Sequence, residues 1–192
     1  MLCMRVILAL LALAFSLAGT AAADDAALWA ALREGHHVAL LRHAATPGGV
    51  GDPPGFRLDD CATQRPLTER GRAQARLMGE RFRAERIVVG RVLSSQWCRC
   101  RETAELMNAG PIEEAPTFNN AFTFRDRIDA LTAGARAVIK DWRGPGVLLV
   151  STHGANILPL VGFHPEEGSV VVVAPDASAQ GLRVLGRIAP GL

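Results

Sequence analysis

The chain has 192 residues, of which 49% are hydrophobic, and its formal net charge is only +2. This length suits one folded domain with a full hydrophobic core. Because the charge is nearly balanced and no basic stripe stands out, the composition argues against nucleic acid or an anionic membrane as a partner.

The first 23 residues have the pattern of a secretory signal peptide. Arg5 supplies a positive charge, an apolar run covers residues 6–19, and small residues lead to a cleavage site after Ala23. The run is shorter than the roughly 20 residues that span a bilayer, so we expect no stable membrane anchor. Cleavage would leave residues 24–192 as one domain, in the periplasm or secreted.

Strand-like and helix-like patterns alternate along the rest of the chain, as is typical of an α/β domain. Short apolar runs indicate strands of a parallel sheet that is covered on both faces. The predicted strands are residues 38–41, 88–93, 147–150, 170–173 and 182–188. The predicted helices are residues 67–87, 98–108 and 125–142, and a further short helix is predicted to open after residues 151–154. We therefore predict a three-layer α/β/α domain with a mostly parallel central sheet.

The helix predicted at residues 67–87 has a recognisable start. Thr68 is suited to be its N-cap, and Glu69 in the first turn favours the helix dipole. Apolar residues at helical spacing predict a core-facing stripe of Ala73, Leu77, Met78 and Phe82.

Polar residues follow three of the predicted strands at the points where the strands end. Arg42 and His43 follow the first strand, Arg99 lies at the start of the helix after the second, and His153 follows the third. In open α/β sheets the binding crevice lies at the carboxyl ends of the strands. Each residue alone is a weak signal, but we expect these four to converge at one site.

Four segments resemble motifs of the histidine phosphatase (phosphoglycerate mutase-like) superfamily. Residues 41–46, Leu-Arg-His-Ala-Ala-Thr, are similar to its Arg-His-Gly signature, and residues 94–104 resemble its Ser-Ser-x-x-x-Arg-x-x-x-Thr-Ala element. Residues 67–75 resemble its first helix, and residues 151–154, Ser-Thr-His-Gly, resemble its second histidine motif. The four segments come in the family's order and extend over most of the domain.

The resemblance implies a phosphoglycerate mutase-like fold and a chemical role for each matching residue. His43 would attack phosphorus as a neutral imidazole, while Arg42, Arg99 and His153 surround the phosphoryl oxygens. The Thr46 hydroxyl is a further candidate contact to the phosphate. No metal ion or other cofactor is required, because cationic side chains stabilise the charge on the phosphoryl group.

The sequence departs from the family pattern where a proton donor is expected. Asn119 or Asn120 stands near the position of the family's glutamate, Gly154 follows the second histidine, and Gly49 replaces a frequent asparagine. An amide cannot act as a general acid, so no proton donor is identifiable. The nearby carboxylates are expected to be solvated surface charges; they are Glu113, Glu114 and Asp126.

These features predict an exported phosphatase that acts on phosphomonoesters, either small molecules or phosphorylated macromolecules, through phosphohistidine on His43. A phosphomutase is disfavoured by the departures at Gly49 and Asn120, and because its phosphorylated activator should be scarce outside the cytoplasm. The alternative is a phosphate-binding or sensing domain that has the same fold and lacks an efficient general acid.

Three cysteines follow the signal peptide, namely Cys61, Cys98 and Cys100. A bridge from Cys61 to either Cys98 or Cys100 is one possibility in an exported protein, and three unpaired thiols are the other. The Cys-x-Cys spacing does not match a zinc site. A thiol-dependent phosphatase is also disfavoured, since the sequence has no Cys-x5-Arg phosphate loop.

Overall fold

The computed structural model describes residues 25–178 and 180–191. The signal peptide predicted for residues 1–23 lies outside these ranges. The helices are α1 (Asp25–Glu34), α2 (Glu69–Ala84), α3 (Cys98–Met107), α4 (Ile128–Lys140) and α5 (Gly154–Val161). The strands are β1 (Val38–Arg42), β2 (Val89–Ser94), β3 (Ile112–Glu114), β4 (Val147–Thr152), β5 (Val170–Pro175) and β6 (Leu182–Ile188).

The six strands form one sheet in the order β3-β2-β4-β1-β5-β6. Strands β3, β2, β4 and β1 pair in parallel, while β5 pairs antiparallel with both β1 and β6. The sheet is therefore mostly parallel, as predicted. The β2-β4-β1 order makes neighbours of the three strands whose ends carry the candidate site.

Helices cover both faces of the sheet. Successive strand residues point to opposite faces, and β1 follows this rule. Ala39 and Leu41 pack in one core cluster with residues of α1, α2 and α3, whereas Val38 and Leu40 pack in a second cluster with residues of α4 and α5. The predicted three-layer α/β/α architecture is confirmed. Within the described ranges, no helix combines the length and the apolar character needed to cross a membrane.

Helix α2 begins as predicted, with the Thr68 hydroxyl accepting a hydrogen bond from the Gly71 amide. The predicted stripe is only partly right: Met78 and Phe82 are buried, but Ala73 is exposed. The buried face contains Gly71, where a Cβ atom would lie 2.1 Å from the Ala45 carbonyl oxygen. Where the buried face meets neighbouring backbone this closely, it carries small residues and not large apolar ones.

Two elements were not predicted. Helix α1 buries Leu28, Trp29 and Leu32 against the first core cluster. Strand β3 has three residues at the edge of the sheet and is held by its pairing with β2. The helix predicted from residue 125 begins instead at Ile128, after a turn of 3-10 helix over Arg125–Arg127.

Candidate active site

The three adjacent strand ends bring the predicted residues into one place. The amide of His43 donates to the Thr152 carbonyl at 2.8 Å, and the amide of Ser95 donates to the Ser151 carbonyl at 2.9 Å. These bonds extend the sheet by one residue beyond β1 and β2. Arg42, His43, Arg99 and His153 all line one cavity of about 220 Å³ at this edge. The convergence expected from the sequence is present, while the catalytic role of each residue remains a prediction.

The His43 ring is buried and has a defined tautomer. Its side chain lies 3 Å from the carbonyl of Ala44, through Nδ1, and a carbonyl oxygen only accepts hydrogen bonds. Nδ1 therefore carries the proton, and Nε2 keeps a free lone pair. Burial, with a further contribution from the charge of Arg99, lowers the pKa of His43 to about 3. The ring is thus a neutral imidazole at any pH above about 4, as a nucleophile must be.

His153 lies with its ring centroid 5.4 Å from that of His43. Burial, followed by the charge of Arg99, holds its pKa well below the usual range. The Ser95 hydroxyl is 2.9 Å from His153 Nε2 and 3.3 Å from Asn119 Oδ1. Arg99 Nη2 lies 3.5 Å from His153 Nδ1, and because arginine can only donate, Nδ1 accepts and Nε2 carries the ring proton. Nε2 therefore donates to Ser95, whose hydroxyl donates to Asn119 Oδ1.

Arg99 is almost completely buried and pairs with Asp52. Its Nη1 lies 2.6 Å from Asp52 Oδ1 and its Nη2 lies 3.3 Å from Oδ2. Asp52 also accepts hydrogen bonds from the Trp97 indole at 2.9 Å and from the Arg65 amide at 3.0 Å. Burial is the largest single influence on the pKa of Asp52 and raises it, but the hydrogen bonds from Arg99, Arg65 and Trp97 and the charge of Arg99 together outweigh burial, so the pKa ends below its ordinary value. Asp52 is therefore an ionised carboxylate that fixes the Arg99 guanidinium.

Arg42 is held by the segment that follows α5. Its Nη1 donates to the Pro165 carbonyl at 2.7 Å, and its Nη2 lies 3.4 Å from Glu167 Oε1. Thr46, the predicted phosphate contact, does not line the cavity. Its hydroxyl donates to Glu167 at 2.9 Å and its amide donates to the same carboxylate at 3.2 Å. The phosphate contact of Thr46 stays a prediction; in this structure Thr46 is linked to Arg42 through Glu167.

Sequence reasoning missed two residues that line the cavity, Arg65 and His164. Arg65 is held by a hydrogen bond from Nη1 to the Gly49 carbonyl. The His164 Nδ1 atom is 3.3 Å from Arg42 Nη1. With Arg42 and Arg99, Arg65 gives the cavity three guanidinium groups.

Each of these three guanidinium groups has an unused donor. Among the described residues, the buried Nε–H groups of Arg42, Arg65 and Arg99 have no hydrogen-bond partner. Unpartnered buried donors are costly, and an anion with several acceptor oxygens would satisfy them. Phosphate has the charge and the number of oxygens that this arrangement favours.

No carboxylate is among the described residues that line the cavity. Asn120 lines it instead, so an amide occupies the wall near the position expected for the family's glutamate. Glu113 and Glu114 form exposed ion pairs with Arg91 and Arg101 on the protein surface. Asp126 is likewise exposed. The interpretation of these three carboxylates as surface charges agrees with their positions.

A disulfide joins Cys61 to Cys98 and leaves Cys100 as a buried free thiol. The bond ties the loop before α2 to the first residue of α3, next to Arg99. Cys100 Sγ lies 3.4 Å from His153 Nε2, and burial raises the pKa of this thiol to about 12. A protonated, buried thiol is a poor nucleophile, so Cys100 packs against His153 rather than competing with His43.

Comparison with known proteins agrees with the fold and with the motifs. Residues 38–123 match the family model of the histidine phosphatase superfamily (branch 1). A search of functionally curated proteins returned no match.

Several solved structures share the fold at low sequence identity. The Rv3214 protein of Mycobacterium tuberculosis is 19% identical, with a TM-score of 0.58 over 79% of this chain and 97% of that one. The protein histidine phosphatase SixA, complexed with tungstate, is 18% identical, with a TM-score of 0.57 over 80% and 97%. Mycobacterial glucosyl-3-phosphoglycerate phosphatase Rv2419c is 16% identical, with a TM-score of 0.55 over 78% and 96%.

The family model covers the segments that carry Arg42, His43 and Arg99. His153 lies outside the matched residues but lines the same cavity, in a fold that these solved structures share. Over residues 38–123 this chain is therefore similar to the histidine phosphatase superfamily (branch 1), and its fold is the one that these solved structures share.

Proposed function

We propose that this protein is an exported phosphatase that hydrolyses phosphomonoesters through a phosphohistidine intermediate on His43. One observation carries the proposal: a buried, neutral imidazole with a free Nε2 lone pair lies in a cavity that three arginine side chains line. This pairing of a nucleophile with cationic groups matches the needs of phosphoryl transfer.

In the first step, Nε2 of His43 attacks phosphorus as the bond from phosphorus to the leaving oxygen breaks. Arg42, Arg65 and Arg99 stabilise the charge that spreads over the phosphoryl oxygens. Water then hydrolyses the phosphohistidine and releases inorganic phosphate. Loss of one such donor typically raises the barrier by about 3 kcal/mol.

The same three cations support turnover without a metal ion, because they already supply the positive charge that phosphoryl transfer requires. We therefore expect activity to persist after treatment with EDTA.

Two features support export. The first 23 residues have the pattern of a signal peptide, and the disulfide between Cys61 and Cys98 is of a kind that persists in oxidising compartments.

Asn120 favours a second candidate function, a phosphate-binding or sensing domain without turnover. An amide in the cavity wall cannot protonate a leaving group, and the loss of a general acid typically costs 10²- to 10⁴-fold in rate.

Hydrolysis of p-nitrophenyl phosphate, whose leaving group departs without a proton donor, separates the two candidates. The purified protein should turn over this substrate, and His43→Ala should fall to the background rate. Brief incubation with a labelled phosphoryl donor should trap an acid-labile, base-stable adduct on the wild-type protein only. Equal, negligible rates for both proteins, together with calorimetric binding of inorganic phosphate, would identify a binding domain instead.

A further inference from the structure

An apolar rim borders the phosphate cavity. Val50 and Phe122, which come from two separate loops, both line the cavity and are 80% and 37% exposed. The two loops meet, since a Cβ atom added at Gly51 would lie 3.4 Å from the Phe122 ring. Exposed large apolar side chains beside a charged pocket indicate a surface that a ligand covers.

The Phe122 ring is held in place. The Arg125 guanidinium lies 4.3 Å from the ring centroid, and its Nε donates to the Phe122 carbonyl at 3.3 Å. A fixed aromatic ring at the rim can stack on a flat apolar group without further ordering.

The described residues that line the cavity include no carboxylic acid that could donate a proton to a leaving group. Arginine side chains stay protonated, and His43 and His153 are neutral because burial lowers the pKa of each. His164 Nδ1 lies 3.3 Å from Arg42 Nη1, and because arginine can only donate, this nitrogen is the acceptor there. A neutral imidazole N–H is a hydrogen-bond donor but a very weak acid.

The leaving group must then depart as an anion. A phenol has a pKa of about 10, whereas an aliphatic alcohol is a far weaker acid, about as weak as water. A phenolate therefore leaves far more readily than the alkoxide of a sugar or of glycerol.

From the apolar rim and the lack of a carboxylic acid among the described lining residues, we infer that the site takes phosphate esters of phenols, with the phosphate among the arginines and the aromatic ring against Val50 and Phe122. This inference rests on the proposed phosphatase function. The His43 Nε2–P bond forms as the P–O bond to the ring oxygen breaks. The bonding pair leaves on the phenolate, which takes a proton from water, and a second water restores His43 and yields inorganic phosphate.

Turnover of three matched esters tests the leaving group. Phenyl phosphate and benzyl phosphate are both aromatic, but only the first releases a phenol, and glycerol phosphate is neither. We expect kcat/KM for phenyl phosphate to exceed that for benzyl phosphate by on the order of 10²-fold or more. Similar rates for all three, abolished in His43→Ala, would overturn the inference and leave the phosphatase function intact.

Binding tests the rim without requiring turnover. Phenylphosphonate should bind more tightly than methylphosphonate by calorimetry, and Phe122→Ala should weaken only the phenyl ligand, by about tenfold. Val50→Thr should have the same selective effect, while Val88→Thr, which changes a valine that is 67% exposed and does not line the cavity, should leave both affinities unchanged. Equal affinity for both phosphonates would overturn the inference even if no ester is hydrolysed.

A peptide that contains phosphotyrosine distinguishes two kinds of phenol ester, a phosphorylated protein and a small molecule. A higher kcat/KM for the peptide than for phenyl phosphate would assign a protein substrate, and a lower value would assign a small aryl ester.

Discussion

Asp52 and Arg99 form an ion pair whose side chains are 0% and 2% exposed. Removing one partner of such a pair leaves the other charge buried without compensation, which is more costly than the loss of an exposed pair. Asp52 therefore stabilises the folded protein by holding the charge that the cavity presents to a ligand.

We predict that Asp52→Asn lowers the free energy of unfolding by about 3 kcal/mol in urea titrations. Inorganic phosphate should restore more of that stability to the variant than it adds to the wild type, because the anion replaces the missing carboxylate beside Arg99. Glu113→Gln, which breaks an exposed pair with Arg91, is the matched control and should cost under about 1 kcal/mol. Equal effects of the two substitutions would contradict this account.

Four of the six cationic or imidazole side chains that line the cavity were predicted from the sequence, because each lies at or just after a strand end. Arg65 and His164 lie in loops, where neither the periodicity of the sequence nor the end of a strand indicates which way a side chain points. Arg65 lies three residues before Thr68, whose amide donates to the carbonyl of Ala45 at 2.9 Å, and this contact, which only the structure shows, brings Arg65 close to His43. Sequence proximity to His43 does not fix the direction of the Thr46 hydroxyl, which donates to Glu167 in this structure.

Helix α2 packs against the segment that follows the nucleophile. Its first turn packs on the backbone of Ala45, two residues after His43, and the absence of a side chain at Gly71 allows that approach. The glycine is required here by contact with backbone, which cannot rotate away as a side chain can.

We predict that Gly71→Ala lowers the free energy of unfolding by about 1 to 3 kcal/mol and reduces kcat, because the added methyl group displaces the segment that carries His43. Gly48→Ala is the control, since a Cβ atom there would meet nothing within 4 Å. Urea unfolding and steady-state kinetics on both variants check the prediction. Unchanged kcat in Gly71→Ala would show that the segment can shift without moving the nucleophile.

The long, strongly patterned elements were predicted, and the short or close-packed ones were not. The runs at β1 and β4 are apolar on both faces, so their burial is evident from the sequence alone. Strand β3 is defined only by its pairing with β2, and its two glutamates are typical of surface. Leu28, Trp29 and Leu32 have helical spacing and would have indicated α1.

At the scale of the whole molecule, two buried neutral histidines make stability depend on pH. Burial lowers the pKa of His43 to about 3 and holds that of His153 well below its usual range. In the unfolded chain both would titrate near pH 6.5. Below that pH the unfolded state binds protons that the folded state cannot, so stability falls as the pH decreases from about 6.5 toward 3.

We predict that these histidines contribute a loss of up to about 1.4 kcal/mol per pH unit for each group in this window. Urea unfolding between pH 7 and pH 4 measures the slope, and His43→Gln should reduce it by the contribution of one group. Identical slopes for the wild type and the variant would show that His43 is protonated in the folded protein. The lowered pKa of Asp52 adds a separate loss only at lower pH, below its ordinary value of 3.8.

Correct oxidative folding requires Cys61 to form its disulfide with Cys98 and not with Cys100. Cys98 and Cys100 lie two residues apart on α3, so their side chains point about 200° apart around the helix axis. A chain that joined Cys61 to Cys100 would have to rotate the helix, and Arg99 would turn away from the cavity. The mispaired isomer would therefore lack the phosphate site, whereas in the native structure Cys100 is buried against His153 and out of reach of Cys61.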